Sequence, residues 1–433
     1  MALLARDPRR QPETEARIAA LDLPRGGFTR AARAEALARL RGFGLPSRRD
    51  EYWRFTDPAD LAAPAPAAGA PFDPREAHVF AGTDRLEIVF VDGVFDPARS
   101  GPLDLAGVEI TRLAEADRAD IHWAQGIYGT LEAAGQAAVP RPLAALNTGA
   151  ATDGILMRVT GRAARPVCLV HERRAAASDA VLHHCIRVEP GAEVTLLETG
   201  TAAARLNAVM EVDVAAGGRF HHVRVQGRDH GRRAATHIFA RVGAGALFKS
   251  FTLAMNGVLT RNEAVIELAG AGAVAHVAGA ALGDGATGAF HHDDTVFVTH
   301  DAVGCESRQV FKKVLRHGAV GVFQGKILVR PGAQKTDGYQ ISQALLLDED
   351  SQFLAKPELE IHADDVKCSH GSTTGALDAT ALFYLRSRGV PRDAAVTLLV
   401  LSFLADAIGE IEDEALRQAI VERLEAWLAR HRA

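Results

Sequence analysis

VEPGAEV at 188–194, VAAGGRF at 214–220, VGAGALF at 242–248 and LAGAGAV at 268–274 are four copies of one turn. Their first residues, Val188, Val214, Val242 and Leu268, stand 26, 28 and 26 positions apart. Each turn joins two short apolar segments, and the third residue on is Gly191, Gly217, Gly245 and then Ala271. Glycine at that place allows the positive φ that a tight corner needs. Strand, glycine turn and strand, recurring at an even period, are the pattern of a solenoid whose units stack on their neighbours. Because the units are strands, the expected fold is mainly β, a β-helix. VRPGAQK at 329–335 is a weaker echo. A β-sandwich of similar hairpins is the competing architecture, but it has less reason to keep so even a period.

Working outward, RLEIVFVDG at 85–93, ILMRVTG at 155–161 and LNAVMEVDV at 206–214 alternate as strands do, and no long helical pattern interrupts this texture before about 375. Residues 1–60 read as a helical domain, with Thr29 available to cap a helix that Gly42 and Gly44 end. A Pro/Ala-rich linker follows at 61–79, and the β-helix core is placed at 80–374. Residues 375–433 are helical again. Asp378 caps one helix, Pro391 opens the next, and Leu416, Ile420, Leu424 and Leu428 form an i, i+4 stripe. Such a domain could cover the open last rung of the solenoid or present a docking surface.

The chain has 433 residues, enough for two or three domains. Its net charge of −5 and lack of a basic stripe exclude a dedicated nucleic-acid binder. The opening MALLARDPRR is too short and too charged for a signal peptide. The most apolar run, 394–408, contains Asp406 and falls short of the roughly 20 residues of a membrane span. Four scattered cysteines without CxxC are no disulfide framework, so a reduced, cytoplasmic protein is expected.

The richest chemistry lies in KPELEIHADDVKCSHGSTTG at 356–375. In an extended segment Cys368 and His370 point to one face, beside small residues that leave room for an approaching group. Thiolate and imidazole both ligate iron or zinc, but two ligands do not complete a tetrahedral site, so the rest must come from elsewhere. The alternative is a small buried cysteine and a surface histidine. In HHDDTVFVTH at 291–300, His292, Asp294 and His300 share a face and could hold a metal, although Val296 and Val298 share it too. His183-His184 and His221-His222 read as ladder or surface residues, and Cys168 and Cys185 as core. GVFQGKI at 321–327 lacks the spacing of a phosphate loop and reads as a Gly-Lys turn, so no nucleotide hydrolysis is expected.

Three stretches resemble the SufB/SufD family of iron–sulfur cluster assembly scaffolds: GLPSRRDEYWRFTD at 44–57, SRQVFKKVLRHGAVGVFQGKILVRPGAQKTDGYQISQALLLDED at 307–350, and 356–390. CSHG at 368–371, and the lack of a cysteine at 345–348, are similar to the SufD branch. The resemblance implies a right-handed parallel β-helix flanked by N-terminal and C-terminal α-helical domains. It implies a SufB heterodimer, a SufC ATPase on each C-terminal domain, and a transient cluster at the SufB interface, with His370 supplied from this side and Cys368 beside it. Reduced FAD is associated with such complexes, though this sequence carries no flavin motif. Leu385, Leu398, Leu399 and Phe403 are the expected ATPase-binding residues. The chain is then no enzyme by itself and binds neither membrane nor nucleic acid; whether it forms a homodimer when isolated stays open. A β-helix enzyme acting on polysaccharide is the runner-up, but alternation splits Asp293-Asp294 and Asp364-Asp365 between faces. A metal-binding homodimer built on 291–300 is the third reading.

Overall fold

The computed structural model describes residues 10–69, 78–200, 203–227 and 229–431. The opening segment 1–9 and residues 70–77 of the expected linker lie outside these. From Ile155–Val159 onward, strands alternate between two ten-stranded sheets, so each pairs with the strand two further along the chain. The first sheet ends on Lys367–Gly375 and the second on Gln352–Ile361. Pairing through both repeats is parallel and in register: Val188, Val214, Val242, Leu268, His300 and Val329 form one continuous column. This is the β-solenoid read from the spacing, and it excludes hairpin-connected sheets.

The corners carry the expected backbone. Gly191, Gly217 and Gly245 have φ of 71, 66 and 61°. Gly191 N donates to Ala216 O at 3.1 Å and Gly217 N to Ala244 O at 2.9 Å, so corners stack as well as strands. The fourth corner departs from the reading. Gly272, with φ of 68°, takes the glycine position, and Ala271 instead accepts from Gly245 N. One extra residue in that turn shifts the register by one. In the echo at 329–335 the left-handed residue is Lys335, at φ 60°, and not Gly332.

GVFQGKI is also corrected: it lies within the strand Val320–Val329, and Lys326 pairs with Glu360 at 2.5 Å. Gly325 faces the solenoid interior, where an added Cβ would lie 2.4 Å from Gln340 Nε2. It is a glycine for space and not for a turn.

The interior is apolar for much of its length, with Phe220, Phe248, Phe311 and Phe323 among its largest members. It also holds a hydrogen-bonded polar string. Glu198 accepts from Arg224 at 2.7 Å, Arg224 donates to Thr236 at 2.6 Å, and Thr236 to Asn262 at 2.8 Å. Asn262 meets His292 at 3.2 Å, and His292 meets Lys313 at 2.9 Å. Most buried polar groups are paired in this way, because an unpaired one costs free energy.

Helices Gln11–Ala19 and Arg30–Phe43 pack with Pro142–Ala150 over the outer face of the second sheet. Arg17 reaches Asp179 at 2.8 Å, and Arg205 donates to Ala63 O at 2.6 Å. Thr29 does not cap its helix; its hydroxyl donates to Asp117 at 2.6 Å. Helices Leu113–Ala116, Thr130–Gly135 and Pro142–Ala150 interrupt the strands, against expectation. PLAALNTGA is buried on every side, and a helix without a polar face leaves no periodic signal.

The C-terminal helices Arg392–Ile408 and Glu414–Arg430 lie on the outer face of the first sheet. There Val400, Leu404, Ile420, Leu424 and Trp427 cluster with Val223, Leu253 and Val314. They do not cover the last rung. The stripe Leu416, Ile420, Leu424 and Leu428 is therefore spent within the chain. Asp378 does cap its helix, accepting from Thr380 N at 2.8 Å and Ala381 N at 3.1 Å.

Candidate functional site

The two ends of the solenoid differ. At the first end, the two-residue strand Val94–Phe95 lies antiparallel on Leu86–Val91, and Asp104–Leu105 lies antiparallel on Val108–Arg112. Short antiparallel strands terminate the parallel repeat there. At the other end, Lys367–Gly375 and Gln352–Ile361 are the outermost strands, and among the described residues no strand pairs with their free edges. Free parallel edges invite a further chain.

Cys368 and His370 stand on that last rung. Cys368 pairs with Gly338 and His370 with Gln340 in parallel register. Gly338 and Gln340 are buried, whereas Tyr339 and Ile341, alternating with them, pack toward the C-terminal helices. Cys368 and His370 therefore face the interior at its open mouth, together as the alternation predicted. The Cys368 thiol is half-buried beside Gly338, Ile327 and Val329. Burial pushes its pKa up, so the thiol holds its proton until a cation displaces it. His370 is exposed, and among the described residues its ring makes no hydrogen bond. Ser372, next on the same face, meets Ser342 at 3.1 Å. One imidazole and one thiol at an uncovered rung can offer iron two ligands and no more.

The second candidate, at 291–300, is closed. Lys313 Nζ lies 2.5 Å from Asp294 and 2.9 Å from His292, so an ammonium already sits between these two donors. Burial, then Lys313, holds the His292 pKa well below its ordinary value. His300 is engaged apart from them, with Ser307 at 2.8 Å. Asp293 faces the other way, toward Arg261 and Thr56, as alternation required.

His183 and His184 are buried and not at the surface, because helices cover the outer face of their strand. His222 is buried too, as are Cys168, Cys185 and Cys305. His183, Cys185 and Glu211 bring potential ligand atoms within 4.8 Å of one another. The glutamate and the histidine are already engaged with the protein. Glu211 accepts from Gly129 N, from Leu131 N at 2.7 Å and from Glu132 N at 3.0 Å, and it meets His183 Nε2 at 2.7 Å. The grouping serves to pin a helix to the sheet.

The sequence-predicted docking residues lie on the C-terminal helices. Leu398 is 51% exposed, whereas Leu385, Leu399 and Phe403 are half-buried. Phe403 packs against the helix–sheet cluster and carries Lys312 Nζ 4.9 Å from its ring centroid. The largest exposed apolar groups nearby are Phe383 at 73% and Tyr384 at 54%, which spacing did not single out. A Leu-Phe-Tyr-Leu run gives a short helix more apolar surface than one buried side can absorb, and that was the available signal. Among the described residues, no helix is long and apolar enough to cross a membrane.

Comparison with known proteins adds to this geometry. Residues 171–403 match the family model described as SUF system FeS cluster assembly, SufBD core domain. The chain is 28% identical over 409 residues to the iron-sulfur cluster assembly protein SufD of Escherichia coli K12, covering 92% of this chain and 93% of that one. It is 28% identical over 418 residues to an iron-sulfur cluster assembly SufBD family protein of Synechocystis, covering 88% and 86%. The SufD of Bacillus subtilis is 31% identical over 131 residues, 30% of each chain.

Proposed function

Because the chain belongs to the SufB/SufD family of iron–sulfur cluster assembly proteins, on its SufD branch, we propose that its open last rung pairs with SufB and that His370 ligates the nascent cluster. The observation that carries this reading is the pairing of an uncapped rung with an exposed, unbonded imidazole at its mouth. In this reading the cluster is cargo. His370 offers one ring nitrogen to iron, and Cys368 stands by as a second donor whose proton must leave first. SufB supplies the remaining ligands. The chain acts as a scaffold and not as an enzyme, in the cytoplasm, and the same free edges would let the isolated chain pair with itself. Reduced FAD in the assembled complex is assigned to no residue of this chain.

The second half of the reading concerns the C-terminal helices. Phe383, Tyr384 and Leu398, with Leu385, Leu399 and Phe403 beneath or beside them, form the surface that receives the SufC ATPase. Aromatic side chains exposed on a helix pair are the usual anchors of a protein interface. Pull-down of SufC by a Phe383→Ser, Tyr384→Ser variant tests this. Binding should be lost with thermal stability unchanged, and retained binding would remove the assignment. For the cluster site, SufB and SufC are co-purified with His370→Ala and the complex is reconstituted with ferrous iron and sulfide. The complex should form and the cluster should not.

A further inference from the structure

Gln340 is fully buried one rung below His370, in the same inward-facing column. Its Nε2 donates to Gln309 Oε1 at 2.8 Å, one rung further in. Among the described residues its buried Oε1 has no hydrogen-bond partner. Unsatisfied buried acceptors are rare and call for a reason. Bonds between neighbouring rungs of this column have a precedent on the same sheet, where His222 Nδ1 meets Ser250 Oγ at 2.8 Å and the two residues are paired in register. Gly325, across the interior, keeps the space: an added Cβ would fall 2.4 Å from Gln340 Nε2 and 2.7 Å from its Cδ.

We propose that Gln340 is a positioning residue for His370, its Oε1 accepting a hydrogen bond from Nδ1–H so that Nε2 is left bare and aimed at the metal. The inference rests on His370 being a cluster ligand. Gln309 fixes the orientation of the Gln340 amide by taking its N–H, which turns the oxygen toward the open rung. A ligating histidine whose other nitrogen is held in this way is locked in one tautomer and one ring orientation, and losing the holder costs about tenfold or more in metal affinity.

The test reads the tautomer directly. Ring nitrogen shifts of His370 are recorded on the full chain labelled at histidine, with His370→Gln identifying its signals. Wild type should show the Nδ1–H tautomer in excess. Gln340→Leu, and Gly325→Ala through displacement of the amide, should both shift His370 toward Nε2–H, whereas Gln340→Glu, which keeps an acceptor, should not. In the reconstituted complex, Gln340→Leu should lower iron retention about tenfold and Gln340→Glu should restore most of it. An unchanged tautomer ratio in Gln340→Leu overturns the proposal and leaves a water as the partner of Oε1. If His370→Ala assembles clusters normally, the ligand reading falls, but the tautomer measurement still decides the role of Gln340.

Discussion

Glu211 gives the sharpest physical prediction. Asn147 Nδ2 donates to Leu182 O at 3.0 Å and to Asn207 O at 2.8 Å, so its Oδ1 is an acceptor and takes the His183 Nδ1–H at 3.0 Å. A neutral His183 therefore presents a bare Nε2 to Glu211, and the carboxyl must supply the proton. Burial supports this on both sides. It pushes Glu211 from 4.5 up to about 8, against the opposing pull of three backbone N–H groups, and His183 from 6.5 down to about 3. A carboxyl raised in the fold contributes its full stability below its unfolded pKa and loses it as pH rises toward the folded value. At 1.36 kcal/mol per unit, wild type should lose roughly 3 kcal/mol from this group between pH 4.5 and 7. Glu211→Gln removes that dependence. It also leaves Gly129 N–H without an acceptor, at a constant cost of about 1 kcal/mol. Urea unfolding from pH 4 to 8 should show the variant weaker in acid and stronger near neutrality, with the curves crossing between. A constant difference across that range would mean that the carboxylate is ionised in the fold, and the argument from the Asn147 amide would be refuted.

Removing the Lys313 ammonium with Lys313→Met leaves Asp294 buried and unpaired, and should cost about 3–5 kcal/mol in chemical denaturation, much of it recovered by adding Asp294→Asn. Four buried histidines have depressed pKa values through burial: His183 and His184 at about 3, His237 and His300 at about 4. Their contribution is intact above 6.5 and is lost as pH falls toward the folded values, by up to about 2 kcal/mol for a fully buried one at pH 5. The melting temperature should drop steeply over that window, and a flat profile would contradict it. At the fourth corner, Gly272→Ala should destabilise by about 1–2 kcal/mol through its positive φ alone, since no described residue crowds the added Cβ, while Ala271→Gly should change stability little.

The repeat was legible because each rung needs a left-handed corner, and Gly191, Gly217 and Gly245 mark three of them at an even period. One inserted residue was enough to shift the fourth corner from Ala271 to Gly272. Burial of both strand faces defeated the rest. His183 and His184 point opposite ways, yet one meets the solenoid interior and the other a helical layer, so alternation could not say which was exposed. The same double burial hid the helix Pro142–Ala150. Gly325 looked like a turn because a glycine held for space in a strand has the same local signature. The stripe from Leu416 to Leu428 was plain, but its partner, a sheet face distant in sequence, was not. Alternation put Cys368 and His370 on one face but left a small buried cysteine and a surface histidine as the alternative, and only the family resemblance gave His370 a ligand role, whereas Gln340 emerged only once the register placed it beneath His370.

The central claim is that His370, at the uncapped rung, is a ligand and not a structural residue. Its most direct measurement is the iron and sulfide content of the complex with SufB and SufC after reconstitution, compared between wild type, His370→Ala and Cys368→Ala. His370→Ala should assemble the complex in full and retain little cluster, and Cys368→Ala should lose less, because its thiol must first give up a proton that burial retains. Normal cluster content in His370→Ala would contradict the account, and failure of that variant to form the complex would make His370 structural.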